Sequence, residues 1–306
     1  MDLQLCVQTG TIDEEHSMQY ACDVIKAAGF EALDWNFDHD AHPGRFDDPD
    51  YVSVLEKPWE EIERNYEADV RVMKESGLAI GQSHAPFPAT VRARRDYLER
   101  MIPIFENSLR LCAYAGCPAT VIHGLAVNKY DGSTQAEIDE LNTRLYTALI
   151  PAAKETGVTV LLEDLFGDYR GKVYQGHCAN PHEAADFIDR LNGEAGFEGF
   201  GLCFDVGHLF LYGGDMLEYL HVLGPRVKAL HIHDNMGQRD DHRAPYTGLI
   251  NWPDFTRGLR EIRYRGNLSF ETFAQTRAEQ IPAELIPAWL ELIAKTGLYF
   301  RNEILK

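Results

Sequence analysis

Short apolar runs alternate with longer amphipathic segments along the whole chain. The apolar runs are rich in Val, Ile, Leu and Phe and stop at Gly, Pro or charged residues, which is typical of buried β-strands. The segments between them repeat apolar residues every three to four positions, which is typical of helices that pack on one face. The predicted strands are 3–8, 30–35, 78–83, 119–122, 158–162, 200–204, a run that begins at Val227, and 267–270.

Helices are predicted between these strands, and Gly or Pro residues mark many of their ends. The predicted helices are 13–28, 59–76, about 91–115, 134–156, one from Pro181, 216–223, one from Pro253, and about 278–296. Eight strand–helix units without a doubled strand predict an α/β fold, a closed (β/α)₈ TIM barrel that forms one domain over residues 1–306. An open dinucleotide-binding sheet is disfavoured because no GxGxxG follows the first strand. The long segment 36–58 is interpreted as a lid or binding loop, and 165–180 as a second long loop.

The charge balance narrows the choice of partners. The 306 residues include 29 Lys and Arg against 48 Asp and Glu, a formal net charge of −19. Such a field repels polyanions, so we expect no nucleic acid partner. The dense basic run at 92–95 lies on a predicted helix, where it is read as a solvated face.

The compartment is inferred from the cysteines and the N-terminus. Six cysteines occur without a CxxC pair, which favours reduced thiols. The first residues lack the basic and apolar regions of a signal peptide, and no run approaches the roughly 20 apolar residues of a membrane span. We therefore expect a cytoplasmic protein with no membrane partner.

Six consecutive predicted strands end in residues that can bind divalent metal ions. These strand ends are His84, His123, Glu163, Asp205, His231 and Glu271. Working groups of barrel enzymes gather at this face, and converging buried carboxylates need a cation to neutralise them. A single strand-end His or Glu is more often a hydrogen-bonded structural group, but six together predict a metal site. Asp240 and His242, in the loop after the seventh strand, are further donors.

Three aromatic residues and one arginine are candidates for substrate contact. Trp35, Phe87 and Trp252 could form an apolar wall for a sugar ring, although plain barrel packing explains them equally well, and Trp252 could simply staple the start of the next helix. Arg239 could bind a phosphate or carboxylate, or could pair with its acidic neighbours Asp240 and Asp241.

The ordered motifs SHAPF, VIHG, LLED, FDVGH, LHIHD, a D-x-H loop before Gly-x-Ile-Asn-Trp, and SFET resemble the xylose-isomerase-like barrel superfamily over nearly the whole chain. That superfamily includes ketose 3-epimerases, inosose dehydratase, hydroxypyruvate isomerase and endonuclease IV. The resemblance implies a metal site made of Glu163, Asp205, His231 and Glu271. It implies Mn²⁺, Mg²⁺, Co²⁺ or Zn²⁺ as the cofactor.

The resemblance also implies roles in catalysis. Glu163 and Glu271 would be the acid and base on opposite sides of a bound sugar, and His208 would contact the substrate. We expect His233 to lie behind the ligands, on the strand face opposite His231. The expected protein is a metal-dependent isomerase or epimerase of a small sugar or polyol, and an inosose-dehydratase-like lyase could use the same site.

A second activity is compatible with the same residues. The additional zinc ligands of endonuclease IV match a set that is complete in this chain: His84, His123, His208, Asp240 and His242. A trinuclear-zinc phosphodiesterase is thus permitted, but the net charge of −19 opposes it, and we read His84, His123 and His208 as substrate-facing. A non-catalytic barrel that binds sugar or metal is a third possibility, and a homo-oligomer is compatible with the family.

Overall fold

The computed structural model describes residues 3–37, 50–87, 97–125, 127, 132–277 and 281–306. The strands in these residues are β1 (Leu5–Gln8), β2 (Ala32–Asn36), β3 (Ala79–His84), β4 (Ala119–Val121), β5 (Thr159–Glu163), β6 (Phe166–Tyr169), β7 (Lys172–Gln175), β8 (Phe200–Asp205), β9 (Val227–His231) and β10 (Leu268–Phe270). Eight of these described strands form one parallel sheet in the order β10-β1-β2-β3-β4-β5-β8-β9.

The sheet closes on itself between its two end strands. A parallel bridge joins Ile232, just after β9, to Phe270 of β10. There the Ile232 amide donates to the Ser269 carbonyl at 2.8 Å, and the Glu271 amide donates to the Ile232 carbonyl at 3.1 Å. The predicted (β/α)₈ TIM barrel is confirmed.

The helices surround the barrel. In the described residues they are α1 (Gly10–Glu15), α2 (Met18–Ala28), α3 (Trp59–Ser76), α4 (Tyr97–Ala115), α5 (Gln135–Ala148), α6 (Ile150–Thr156), α7 (Pro181–Ala195), α8 (Val206–Tyr212), α9 (Met216–Leu223), α10 (Trp252–Glu261) and α11 (Ile286–Ile304). The predicted helix start at 91–96, with its basic residues, and much of the 36–58 loop lie outside the described residues. None of the described helices combines the length and apolar character that a bilayer span requires.

Two predicted helices are each split in the structure. Ser17 divides the 13–28 segment, because its hydroxyl accepts from the Tyr20 amide at 3.2 Å and caps a new helix, α2. The 134–156 segment breaks at Leu149, and Pro151 lies in the first turn of α6. Proline lacks the N–H that would extend the hydrogen bonds of α5, so the second helix starts afresh.

The prediction of no doubled strand is wrong after β5. The segment 165–180 contains the antiparallel hairpin of β6 and β7, which lies outside the barrel sheet. Gly167 makes room for the Tyr174 ring across the hairpin, since a Cβ there would be 2.2 Å from that ring. The Tyr174 hydroxyl donates to the Val127 carbonyl at 2.6 Å and so ties the hairpin to the loop after β4.

Two helices differ from the sequence expectation. The sequence does not predict the helix α8, because its seven residues are largely apolar and five of them are buried. A largely buried helix lacks the polar face that signals a helix in a sequence. The final helix is α11, several residues later than the predicted 278–296, of which 278–280 lie outside the described residues. Gly297 is not its end. A Cβ at that position would be 2.8 Å from Leu5 and 2.9 Å from Phe270, so glycine lets α11 lie close to the barrel wall.

Candidate metal and catalytic site

The carboxyl ends of the barrel strands surround a cavity of about 340 Å³. The residues that line it are Gly10, Thr11, Glu14, Asn36, His84, Phe87, His123, Glu163, His208, Asp240, His242, Glu271, Phe273 and Arg277. Parallel strands all deliver their carboxyl ends to one face, so residues far apart in sequence meet there. For example, Asp205 at the end of β8 is in register with His231 at the end of β9.

His231 lies at the centre of the buried carboxylates. Its Nδ1 is 2.7 Å from Glu163 Oε1 and 3.9 Å from Asp205 Oδ2. Its Nε2 is 3.6 Å from Glu271 Oε1. All four side chains are nearly inaccessible to solvent. The four residues implied as metal ligands are therefore brought together around one imidazole, while their role as ligands stays a prediction.

A pair of histidines occupies one side of Glu163. His84 Nε2 and His123 Nε2 lie 3.1 Å apart, and the His123 ring nitrogen makes a close contact with Glu163 Oε2. His84 Nε2 is 3.9 Å from the same oxygen. His84 Nδ1 lies 2.8 Å from the Ala85 carbonyl, which makes Nδ1 the protonated nitrogen and turns the Nε2 lone pair towards the cavity.

Asp240 joins two further histidines on the other side. Its Oδ2 lies 3.2 Å from His208 Nε2 and 2.9 Å from His242 Nε2. His208 Nδ1 in turn lies 2.8 Å from the Asp164 carbonyl. His242 Nδ1 likewise lies 3.2 Å from the Glu271 carbonyl. Each imidazole is thus oriented by a backbone carbonyl and by Asp240, and both residues line the cavity.

The expectation that His233 lies on the opposite face from His231 is wrong. Residues two positions apart on an extended chain point to the same side. His233 Nε2 lies 3.0 Å from Asp205 Oδ2 and 3.6 Å from Asp240 Oδ1, and its ring stacks on His242 with 4.1 Å between centroids. Gly207 makes room for this ring, because a Cβ there would be 2.0 Å from it. His233 therefore belongs to the cluster.

The loop that carries Asp240 and His242 is anchored by Asp234. The Asp234 carboxylate accepts hydrogen bonds from the Gly248 amide at 3.0 Å, the Ile250 amide at 3.2 Å and the Trp252 indole at 3.2 Å. Asp234 precedes Asp240 and His242 in the chain, and the three donors follow them. The bonds therefore tie the end of the loop to its start and hold the loop side chains over the barrel mouth.

Burial and mutual attraction shift the ionisation of the site in opposite directions. Burial by itself raises the pKa of Glu163, but the positive charges of His123 and His231 outweigh it and hold that pKa well below its usual value. Burial raises the pKa of Glu271, despite the opposing attraction of His231. Burial alone would lower the pKa of His242, yet Asp240 raises it to about 9. The cavity therefore holds several charged groups in close contact.

The donor set fits a divalent metal ion. Asp205, His231 and Glu271 offer ligand atoms that all lie within 4.8 Å of one another, and so do His84, His123 and Glu163. Among the described residues, His231 Nε2, His233 Nδ1 and Asp240 Oδ1 are buried atoms of the cluster that have no hydrogen-bond partner. Mixed imidazole and carboxylate donors suit Mn²⁺, Co²⁺ or Zn²⁺, and the carboxylates also suit Mg²⁺.

The aromatic candidates have different locations. Trp35 is 1% exposed and packs against Phe37 and Tyr66, so it belongs to the core and not to the cavity wall. The reason is strand alternation: Asp34 points into the barrel, and Trp35 points out towards the helices. Trp252 begins α10 and stacks on Phe300, which agrees with the interpretation that it packs at the start of this helix. Phe87 does line the cavity.

Arg239 is exposed and does not belong to the described wall of the cavity. The loop turns the side chain to solvent, and its contact with substrate stays a prediction. Among the described residues that line the cavity are an arginine, Arg277, and a further aromatic residue, Phe273. Phe273 follows the SFET motif directly and could have been found from it, whereas no pattern in the sequence distinguishes Arg277.

Comparison with known proteins assigns the chain to a family. Residues 22–293 match the family described as xylose isomerase-like TIM barrel. The chain belongs to that family.

Among individual relatives, an uncharacterized protein of Sinorhizobium fredii, y4fM, is 26% identical over 281 residues, which is 84% of this chain and 82% of that protein. A D-allulose 3-epimerase from Methylomonas sp. superimposes with a TM-score of 0.69 at 17% identity, covering 99% of this chain and 98% of that one. A xylose isomerase domain protein from Alicyclobacillus acidocaldarius gives a TM-score of 0.69 at 15% identity, covering 99% and 100%. At such identities the structural likeness establishes the fold alone.

Proposed function

We propose that this protein is a divalent-metal-dependent isomerase or epimerase of a small sugar or polyol, and that it transfers a proton at a carbon next to a carbonyl. The observation that supports this most directly is the placement of two buried carboxylates on opposite edges of one imidazole. Glu163 contacts His231 Nδ1 at 2.7 Å, and Glu271 lies 3.6 Å from Nε2. Carboxylates on two sides of a substrate can remove a proton from one face and return it to another.

The ion would be held by Glu163, Asp205, His231 and Glu271. A divalent cation bound there would draw electron density from the oxygens of an adjacent carbonyl and hydroxyl and so acidify the carbon-bound hydrogen between them. The remaining work belongs to side chains of this chain: Glu163 and Glu271 exchange the proton, and His208 orients a substrate oxygen.

The shape and lining of the cavity favour a small polar substrate. Its volume of about 340 Å³ suits a monosaccharide, and its lining combines imidazoles and carboxylates with the rings of Phe87 and Phe273. Polar groups would bind hydroxyls, and the rings would cover the apolar C–H face. In support, the structurally similar Methylomonas sp. enzyme has been solved in complex with D-allulose.

The test is exchange of solvent deuterium into ketoses and polyol-derived ketones in the presence of Mn²⁺. Glu163→Gln and Glu271→Gln should each reduce incorporation by at least about 100-fold, the usual size of a general acid–base contribution. The same substitution at exposed Glu198 is the control and should leave exchange unchanged. Wild-type exchange in either cavity variant would contradict the assigned role. A product that has lost one water relative to its substrate, detected by mass spectrometry, would identify a dehydratase on the same site.

A second candidate, a multinuclear phosphodiesterase, is favoured by one specific observation. The histidines outside the four-residue set also face the cavity, with His84 and His123 3.1 Å apart and His208 and His242 both on Asp240. The metal content per chain distinguishes the two candidate functions. About one ion supports the isomerase, and two to three tightly held zincs support phosphodiester cleavage. Nicking of abasic DNA would then establish the phosphodiesterase.

A further inference from the structure

A carboxylate that the reaction itself does not need lies beneath the site, inside the barrel. Asp34, on β2, has no solvent exposure. Its Oδ2 accepts hydrogen bonds from Gln82 Nε2 at 2.7 Å and from the Ser269 hydroxyl at 2.8 Å. Neither donor carries a charge, so neither neutralises the carboxylate, and an uncompensated buried charge is costly.

The compensating group is His231. His231 Nε2 lies 3.7 Å from Asp34 Oδ2, so His231 forms an ion pair with Asp34 when the imidazole is protonated. His231 Nε2 and Asp34 Oδ1 are both buried without a hydrogen-bond partner in the described part of the chain. The unsatisfied Nε2 of His231 thus lies 3.7 Å from Oδ2 of a buried carboxylate whose other oxygen also lacks a partner.

The two edges of His231 face different surroundings. Nδ1 faces Glu163 at 2.7 Å and Asp205 at 3.9 Å, which are both in the proposed ligand set. Nε2 faces Glu271, also in that set, and Asp34, which is not. An imidazole binds a metal ion through one nitrogen and donates a proton from the other. Two of the three other proposed ligands lie at Nδ1, so Nδ1 would be the ligand atom, and the proton on Nε2 would be left for Asp34.

Asp34 is also fixed relative to the strand that carries His231. The Gln82 amide that donates to Asp34 also donates to the Leu230 carbonyl at 3.3 Å, one residue before His231. The side chains of β2, β3 and β10 thus hold the carboxylate at a set distance from the end of β9. Such support is what keeps a ligand in one orientation.

We propose that Asp34 is a positioning residue for the metal site, which keeps His231 protonated on Nε2 and turns Nδ1 towards the bound ion. This inference rests on the proposed function. Partners of ligating histidines are commonly worth 10–100-fold in metal affinity.

The first test is Mn²⁺ binding by titration calorimetry to the full-length protein. Asp34→Asn keeps the shape but can turn an N–H towards His231, so we expect its Kd for Mn²⁺ to rise roughly 10–100-fold. Ser269→Ala is the matched control: it removes a hydrogen bond from the same carboxylate but keeps its charge, and its Kd should stay within about threefold of wild type. Equal losses in both variants would indicate a merely structural network and contradict the proposal.

The second test uses the wild-type protein, so it does not depend on how the variant folds. Nitrogen-15 spectra of histidine-labelled, Zn²⁺-loaded protein should place the His231 proton on Nε2, with the assignment made by comparison with His231→Gln. A proton on Nδ1 would overturn the role of Asp34. Wild-type protein that binds no Mn²⁺ would contradict the proposed function and this inference together, whereas binding that Asp34→Asn leaves unchanged would contradict the inference alone.

Discussion

His177, just after the β6–β7 hairpin, shows how packing sets the ionisation of a single residue. Its ring stacks on Tyr146, meets Phe187 edge-on, and has Nδ1 3.1 Å from Asn142 Nδ2. Burial, with a smaller contribution from the charge of His123, lowers the pKa of His177 to about 4. The ring is therefore neutral in the native protein at neutral pH, and it accepts the hydrogen bond from Asn142.

This shift predicts a pH dependence of stability. In the unfolded chain a histidine takes up a proton near pH 6.5, whereas native His177 does so only near pH 4. The unfolded state binds more protons between these values, so the stabilisation is complete above pH 6.5 and is lost as the pH falls to 4. In urea titrations His177→Gln should flatten the decline in unfolding free energy by up to about 1.4 kcal/mol per pH unit. The same substitution at exposed His182 is the control, and an unchanged slope in His177→Gln would refute the assignment.

At the scale of elements, close approach between a helix and the barrel depends on a missing side chain. Gly297 lies inside α11, where glycine is normally unfavourable, but it lets the helix contact β1 and β10. Gly193, inside α7, has open space around the position of a Cβ. The two glycines share a helical setting and differ only in what they face.

Alanine at these two positions should therefore have opposite effects. Gly297→Ala should lower the free energy of unfolding by about 1–3 kcal/mol, the usual cost of overpacking. Gly193→Ala should raise it by about 0.5–1 kcal/mol, since helical alanine is favoured over glycine and nothing is displaced. Denaturant titrations of both variants measure this, and two changes of the same sign would show that α11 does not depend on close contact.

At the scale of the whole molecule, acidic charge dominates. The formal net charge is −19, and several carboxylates are buried at the barrel mouth. Like charges held together oppose the compact state, and a bound cation relieves them. Binding to the native state alone should therefore stabilise the entire barrel.

Removal of the metal should lower the melting temperature by several degrees. A metal ion present at about 1,000 times its Kd raises the free energy of unfolding by roughly 4 kcal/mol. Melting curves recorded with Mn²⁺ and with EDTA measure this difference. Asp205→Asn is the control, because loss of a proposed ligand should make the two curves nearly coincide. An identical melting temperature for wild type in both conditions would contradict the metal site.

The sequence by itself determined the eight barrel strands and their alternation with helical segments, because alternation of apolar runs with amphipathic segments reflects local periodicity and burial. It also determined which strand ends carry His, Asp or Glu, since short motifs such as LLED and LHIHD are contiguous. The family follows from these motifs in their order. Local signals, which involve neighbours along the chain, were sufficient for all of this.

Tertiary structure alone decided the rest. Packing buried Trp35 behind the barrel wall, and loop folding turned Arg239 to solvent. Closure of the barrel put Asp34 beneath His231, although 197 residues separate them in the sequence. No periodicity or motif encodes such pairs, because the contact depends on register between strands that meet only when the sheet closes.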